Sequence, residues 1–107
     1  MLAQEVAGAP GIRKLRLSGE LTASQVLDVA SHVAGLGSAG DVVLDVGRLS
    51  SRDGSDVRLL AVVADRLAGK ARLYVLFAVG PLLRRIGESG LERHNAHVRI
   101  VRHPARA

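Results

Sequence analysis

Short β-branched apolar runs alternate along this chain with segments whose apolar residues recur at helical spacing, and glycines punctuate the two. Leu2 to Val6 reads as a weak strand, Gly8, Pro10 and Gly11 break the chain, and Ile12, Leu15 and Leu17 lie in a second short strand closed by Gly19. Thr22, followed three residues later by Gln25, has the spacing of a capping box. Val26, Val29, Ala30 and Val33 then share one helical face, and this first helix should stop among the glycines from Gly35 to Gly40. Val42, Val43, Leu44 and Val46, interrupted only by Asp45, predict a buried strand, followed by a polar loop from Gly47 to Asp53. Val57, Leu60, Ala61, Ala64 and Leu67 return to the helical period, and Gly69 supplies a left-handed stop.

The second half repeats the alternation. Arg72 to Val79, with five apolar residues in succession from Leu73 to Phe77, reads as a strand too apolar to be half exposed, which places it mid-sheet. Pro81 suits a first helical turn, Leu82, Leu83 and Ile86 give a short helix its apolar side, and Gly90 ends it. Val98, Ile100 and Val101 form a last strand before a basic tail, Arg102 to Ala107, expected to be disordered. This order predicts an α/β fold with a mixed, mostly parallel sheet of about four or five strands and helices packed on it. The first two strands, joined without a helix, should meet antiparallel at one edge.

Composition narrows the picture. A chain of 107 residues makes one domain spanning residues 1–107. Hydrophobic residues make up 48% and aromatics only 2%, so the core must be aliphatic. Absence of Cys removes disulfides, thiolate nucleophiles and thiolate-bound metal. The net charge of +5 comes mainly from arginines that are scattered instead of striped, without aromatics for base stacking, which argues against nucleic acid as the partner. No basic start leads into a long apolar run, so a cytoplasmic protein without membrane insertion is the expectation.

Three segments in order carry a resemblance. LDVGRLSSRDGSDVRLL, Leu44 to Leu60, is similar to the signature of STAS domains, the anti-sigma factor antagonist fold: a buried strand, a loop, then D-S-[S/T]-G-[L/I] opening a helix. LRLSGELTAS, Leu15 to Ser24, resembles the family's strand-turn opening, and VGPLLRRIGESGL, Val79 to Leu91, resembles the short helix after the fourth strand. The resemblance covers nearly the whole chain and implies a single STAS-like domain. It further implies binding to a Ser/Thr protein kinase that acts as an anti-sigma factor, with phosphorylation of the first serine after the aspartate as the off-switch. Physically, a phosphate adds about two negative charges at a helix N-terminus and rewrites the local surface.

The motif is degenerate: D-S-[S/T]-G has become Asp53, Gly54, Ser55, Asp56, and Thr22 stands where the family usually has Asp. Ser55 remains as the candidate acceptor, with Asp53 and Asp56 flanking it to repel a phosphate. Asp53 or Ser55 equally suits a helix cap, with Asp56 in the first turn against the dipole. Two outcomes stay open: Asp56 imitates a permanent phosphate charge, or loss of Ser at position 54 leaves the protein permanently active. The expected partner-binding and switch residues are Ser51, Arg52, Asp53, Gly54, Ser55, Asp56, Arg58 and Thr22.

Catalytic chemistry is not indicated. Neither a G-x-S-x-G elbow nor a phosphate-cradling glycine motif occurs, and His94 and His97 read as loop or strand-edge residues instead of a metal pair. No enzyme activity, cofactor or metal is expected. Asp45 reads as a strand residue hydrogen-bonded to loop backbone. The alternative function is an unphosphorylated STAS subunit of a transporter or larger signalling assembly. Only a short tail follows the last strand, which would leave an apolar patch open and favour a homodimer.

Overall fold

Three successive strand-helix-strand units that all step in one direction determine the architecture. In the computed structural model, which describes residues 1–6 and 10–101, the elements are β1 (Leu2–Val6), β2 (Ile12–Glu20), α1 (Val26–Gly35), β3 (Asp41–Ser50), α2 (Ser55–Leu67), β4 (Leu73–Leu76), α3 (Gly80–Ser89), α4 (Leu91–His94) and β5 (Val98–Val101). The break expected at Gly8, and the basic tail with His103, fall outside the described residues. The sheet runs in the order β1-β2-β3-β4-β5, antiparallel between β1 and β2 and parallel thereafter. Right-handed crossovers that never reverse direction lay their helices on one face of the sheet.

Burial follows from that topology. Leu15, Leu17, Val42, Leu44, Val46, Leu73, Val75, Val98 and Ile100 point under the helices and are buried. The alternate positions Arg16, Val43, Tyr74, Leu76 and Arg99 lie on the other face and are half-buried or exposed. The run from Leu73 to Phe77 is therefore not a strand covered on both faces; β4 lies inside the sheet but alternates, because no helix crosses its second face. Helices α1 and α2 close the core with Val26, Ala30 and Val33 from one, and Leu59, Leu60, Val63, Ala64 and Leu67 from the other.

Several boundaries differ from the sequence reading. The Thr22–Gln25 box forms, with the Thr22 N–H donating to Gln25 Oε1 at 3.0 Å, but it opens a 3₁₀ turn, Ala23–Gln25, that leads into α1. Gly19 does not close β2, nor does Gly47 begin a loop. Both strands continue because Gly19 pairs with Leu49 and Glu20 with Ser50, after a bulge between Arg16 and Ser18. Only Ser51 to Gly54 is left as loop. Helix α2 starts two residues before Val57, and Ala61 faces solvent. Strand β4 ends at Leu76, since Phe77 adopts φ 63°. His94 closes the one-turn α4 instead of lying in a loop. Among the described residues, no helix is long and apolar enough to cross a membrane.

Candidate functional site

Because β2 to β5 are parallel, the β2–α1 turn, the β3–α2 loop and the segment between β4 and α3 all emerge at the same, C-terminal end of the sheet. The β3–α2 loop is where the degenerate motif lies. Gly54 occupies the N-cap position of α2 at φ 79°, a left-handed conformation that L-residues adopt only with strain. The position where the resembled family carries its acceptor serine is thus built here for glycine.

The first turn of α2 is closed by its own side chains. Asp53 Oδ1 accepts from the Ser55 N–H at 3.1 Å, Ser51 Oγ accepts from the Asp56 N–H at 3.2 Å, and Asp56 Oδ1 accepts from the Val57 N–H at 2.7 Å. These are amides that a helix leaves without an intrahelical partner. Three carboxylate or hydroxyl oxygens of the chain thus already hold those donors. Asp53 takes the first amide of the helix from the position just before the Gly54 N-cap. The Ser55 hydroxyl donates to Asp53 Oδ1 at 2.5 Å, and the Asp53 carboxyl is held below the ordinary value of 3.8, chiefly by that bond and then by the Ser55 N–H.

Burial separates the motif residues into two groups. Ser55 and Asp56 are each 1% exposed, whereas Arg52, Asp53 and Arg58 are exposed and Ser51 and Gly54 half-buried. Asp56 is paired with Arg85 of α3, whose Nη2 lies 2.5 Å from Oδ2 and whose Nε lies 3.3 Å from Oδ1. Asp56 therefore does not project a phosphate-like charge from the surface, and that version of the sequence reading is corrected. Its carboxylate instead ties the start of α2 to α3.

The neighbouring turn joins the same surface. Leu21 N–H donates to Ser50 O at 2.8 Å, and Arg52 Nε lies 2.8 Å from Glu20 Oε2, so the loop is fixed beside exposed Thr22. Asp45, one strand-end earlier, accepts from the Gly47 N–H at 3.0 Å and from Arg16 Nε at 3.3 Å. The backbone partner is there as the sequence suggested, but it belongs to β3 itself, and the arginine was not anticipated. Sequence reasoning also missed Arg85, Phe77 and Val79. For Arg85 a signal existed: Asp56 lies in helical phase with Leu60, Val63 and Leu67, so the buried face of α2 needed a cation opposite it.

No family model matches the chain, and neither does any curated protein. Solved structures do. The anti-sigma factor antagonist SpoIIAA in its unphosphorylated form superposes with a TM-score of 0.67 at 20% identity, over 98% of this chain and 92% of that one. The phosphorylated form of SpoIIAA, a Bacillus cell fate determinant, gives 0.54 at 18% identity, over 98% and 96%. At these identities the likeness is one of fold. It covers the five-stranded mixed sheet and its helices, and the chain has the fold of SpoIIAA, a STAS-domain anti-sigma factor antagonist.

Proposed function

We propose that this protein is an anti-sigma factor antagonist-like binding module of the cytoplasm, which docks a Ser/Thr-kinase-type anti-sigma factor and so influences sigma-factor-dependent transcription. The observation that carries this reading is the SpoIIAA fold over 98% of the chain, with the motif-bearing loop at the exposed C-terminal end of the sheet. In this reading Arg52, Asp53, Arg58 and Thr22 make the contacts, since they are exposed, while Ser51, Gly54, Ser55 and Asp56 hold the loop's shape. The protein works by binding, without catalysis.

Phosphorylation plays no part in the resting cycle under this proposal. Gly54 has no hydroxyl, and a kinase would have to open the first turn of α2 and break the Ser55–Asp53 bond to reach Ser55. Asp53 and buried Asp56 would then face the added charge. The binding-competent surface is therefore the permanent one. The same observation favours a second reading, an unphosphorylated subunit of a transporter or signalling assembly, and recovery with a membrane ATPase in place of a kinase would select it.

The test is a calorimetric titration of the protein into a purified Ser/Thr-kinase-type anti-sigma factor from the same cell, with and without ATP, followed by phosphosite mapping. Association at micromolar concentration or tighter, weakened at least tenfold by Arg58→Glu, with no phosphate on Ser55, is the expected result. No association in either nucleotide condition would overturn the proposal.

A further inference from the structure

Tyr74 and Phe77 are the only aromatic residues in the chain, and the core uses neither fully. Phe77 is 45% exposed and stands at φ 63°, the sole non-glycine residue with positive φ among those described. A bulky side chain in that conformation is strained, and such strain persists where a surface feature is being held in place. The strand beneath it makes room: a Cβ on Gly47 would lie 3.1 Å from Phe77 Cβ, so any larger residue there would push the ring away. Two residues on, Val79 is 59% exposed.

Val79 forms a ridge between two grooves. One, of about 320 Å³, is lined by Arg16, Asp45, Gly47, Arg48, Phe77 and Val79. The other, of about 270 Å³, runs past Pro81 to Ser51, Asp56 and Arg85, and so reaches the β3–α2 loop. The anions in these grooves are spent within the molecule, Asp45 on Arg16 and Asp56 on Arg85. Arg48, in contrast, belongs to no ion pair among the described residues. An apolar ridge with surplus positive charge along it matches an occupant of the opposite sign.

We propose that Phe77, Val79 and Arg48 form a docking ridge for an acidic, leucine-bearing segment of a partner protein. The partner's apolar side chains lie against Phe77 and Val79, and its carboxylates meet Arg48. Grooves of side-chain size suit a peptide segment better than the flat surface of a membrane. This rests on the reading of the chain as a partner-binding module and extends the contact from the β3–α2 loop to the segment between β4 and α3.

A synthetic peptide with two leucines among glutamates is the probe, titrated into ¹⁵N-labelled protein. Its controls replace Glu by Lys or Leu by Ser, and a further arm uses phosphatidylglycerol vesicles. Shifts of the Gly47, Arg48, Phe77 and Val79 amides are expected with the Leu/Glu peptide alone, with affinity at least tenfold weaker in Arg48→Glu and in Val79→Ser. Val79 is exposed and at the N-cap of α3, where serine is favoured, so the second variant keeps the fold. No shifts, equal shifts with the Lys peptide, or binding only to vesicles would overturn the ridge. Kinase binding unchanged by both substitutions would also overturn it while leaving the proposed function intact; peptide binding without any kinase association would sustain the ridge and remove the kinase as its partner.

Discussion

Two helix starts lie side by side at the C-terminal end of this sheet, and they are finished in opposite ways. At α2, the Ser55, Asp56 and Val57 amides are each taken by a side-chain oxygen of the chain, and a buried aspartate is neutralised by Arg85. At α3, the first turn holds no acid, and the flanking Phe77 and Val79 are apolar and exposed. The motif-bearing end is electrostatically closed, whereas the plain-looking end is open. The degenerate motif therefore marks a rigid shape here, and the exposed apolar surface lies one loop away.

The largest way to break this contrast is Arg85→Ala, which leaves the Asp56 carboxylate buried without its cation. Arg85 is partly exposed, its side chain retaining 31% of its accessible surface, so water softens the loss, and a destabilisation of about 3 kcal/mol is expected by urea unfolding. The α2 start should loosen with it and come to resemble α3. A smaller effect is expected from Gly54→Ser, which restores the acceptor of the resembled motif at φ 79°: nothing lies within 4 Å of the added Cβ, so the cost is backbone strain alone, about 1–2 kcal/mol. Gly54→Asn should cost less, since asparagine tolerates that conformation better.

The smallest effect is the pH dependence of the Asp53 bond to the Ser55 amide. Folding lowers the Asp53 carboxyl below its ordinary 3.8, so its contribution to stability is complete above that value and is lost as pH falls through the lower, folded one. Unfolding curves of the wild type and Asp53→Asn should therefore converge in acid and separate toward neutral pH. Parallel curves throughout would show that the bond is not made by that carboxylate.

Much of this fold was legible because periodicity is local. The α1 face of Val26, Ala30 and Val33, the apolar side of α3 at Leu82 and Ile86, and β5 follow from spacing alone. The extension of β3 to Ser50 was not, because Gly47 and Arg48 have loop chemistry and are held in a strand by pairing to residues roughly thirty positions earlier. The exposed second face of β4 required knowing that all crossovers step the same way. At the site, the Asp53 bond to the Ser55 amide was within reach of local rules and the phase of α2 pointed to a buried Asp56, while its partner Arg85 lies 29 residues away, and the strained Phe77 had no local signature.

Amide hydrogen exchange at Ser55, Asp56 and Val57 in the uncomplexed protein tests the closed α2 start most directly. The account predicts that all three exchange slowly, protected to a degree close to the α2 interior. Exchange at the rate of an unstructured peptide would contradict it, leaving the helix end free to receive a phosphate or a partner's carboxylate.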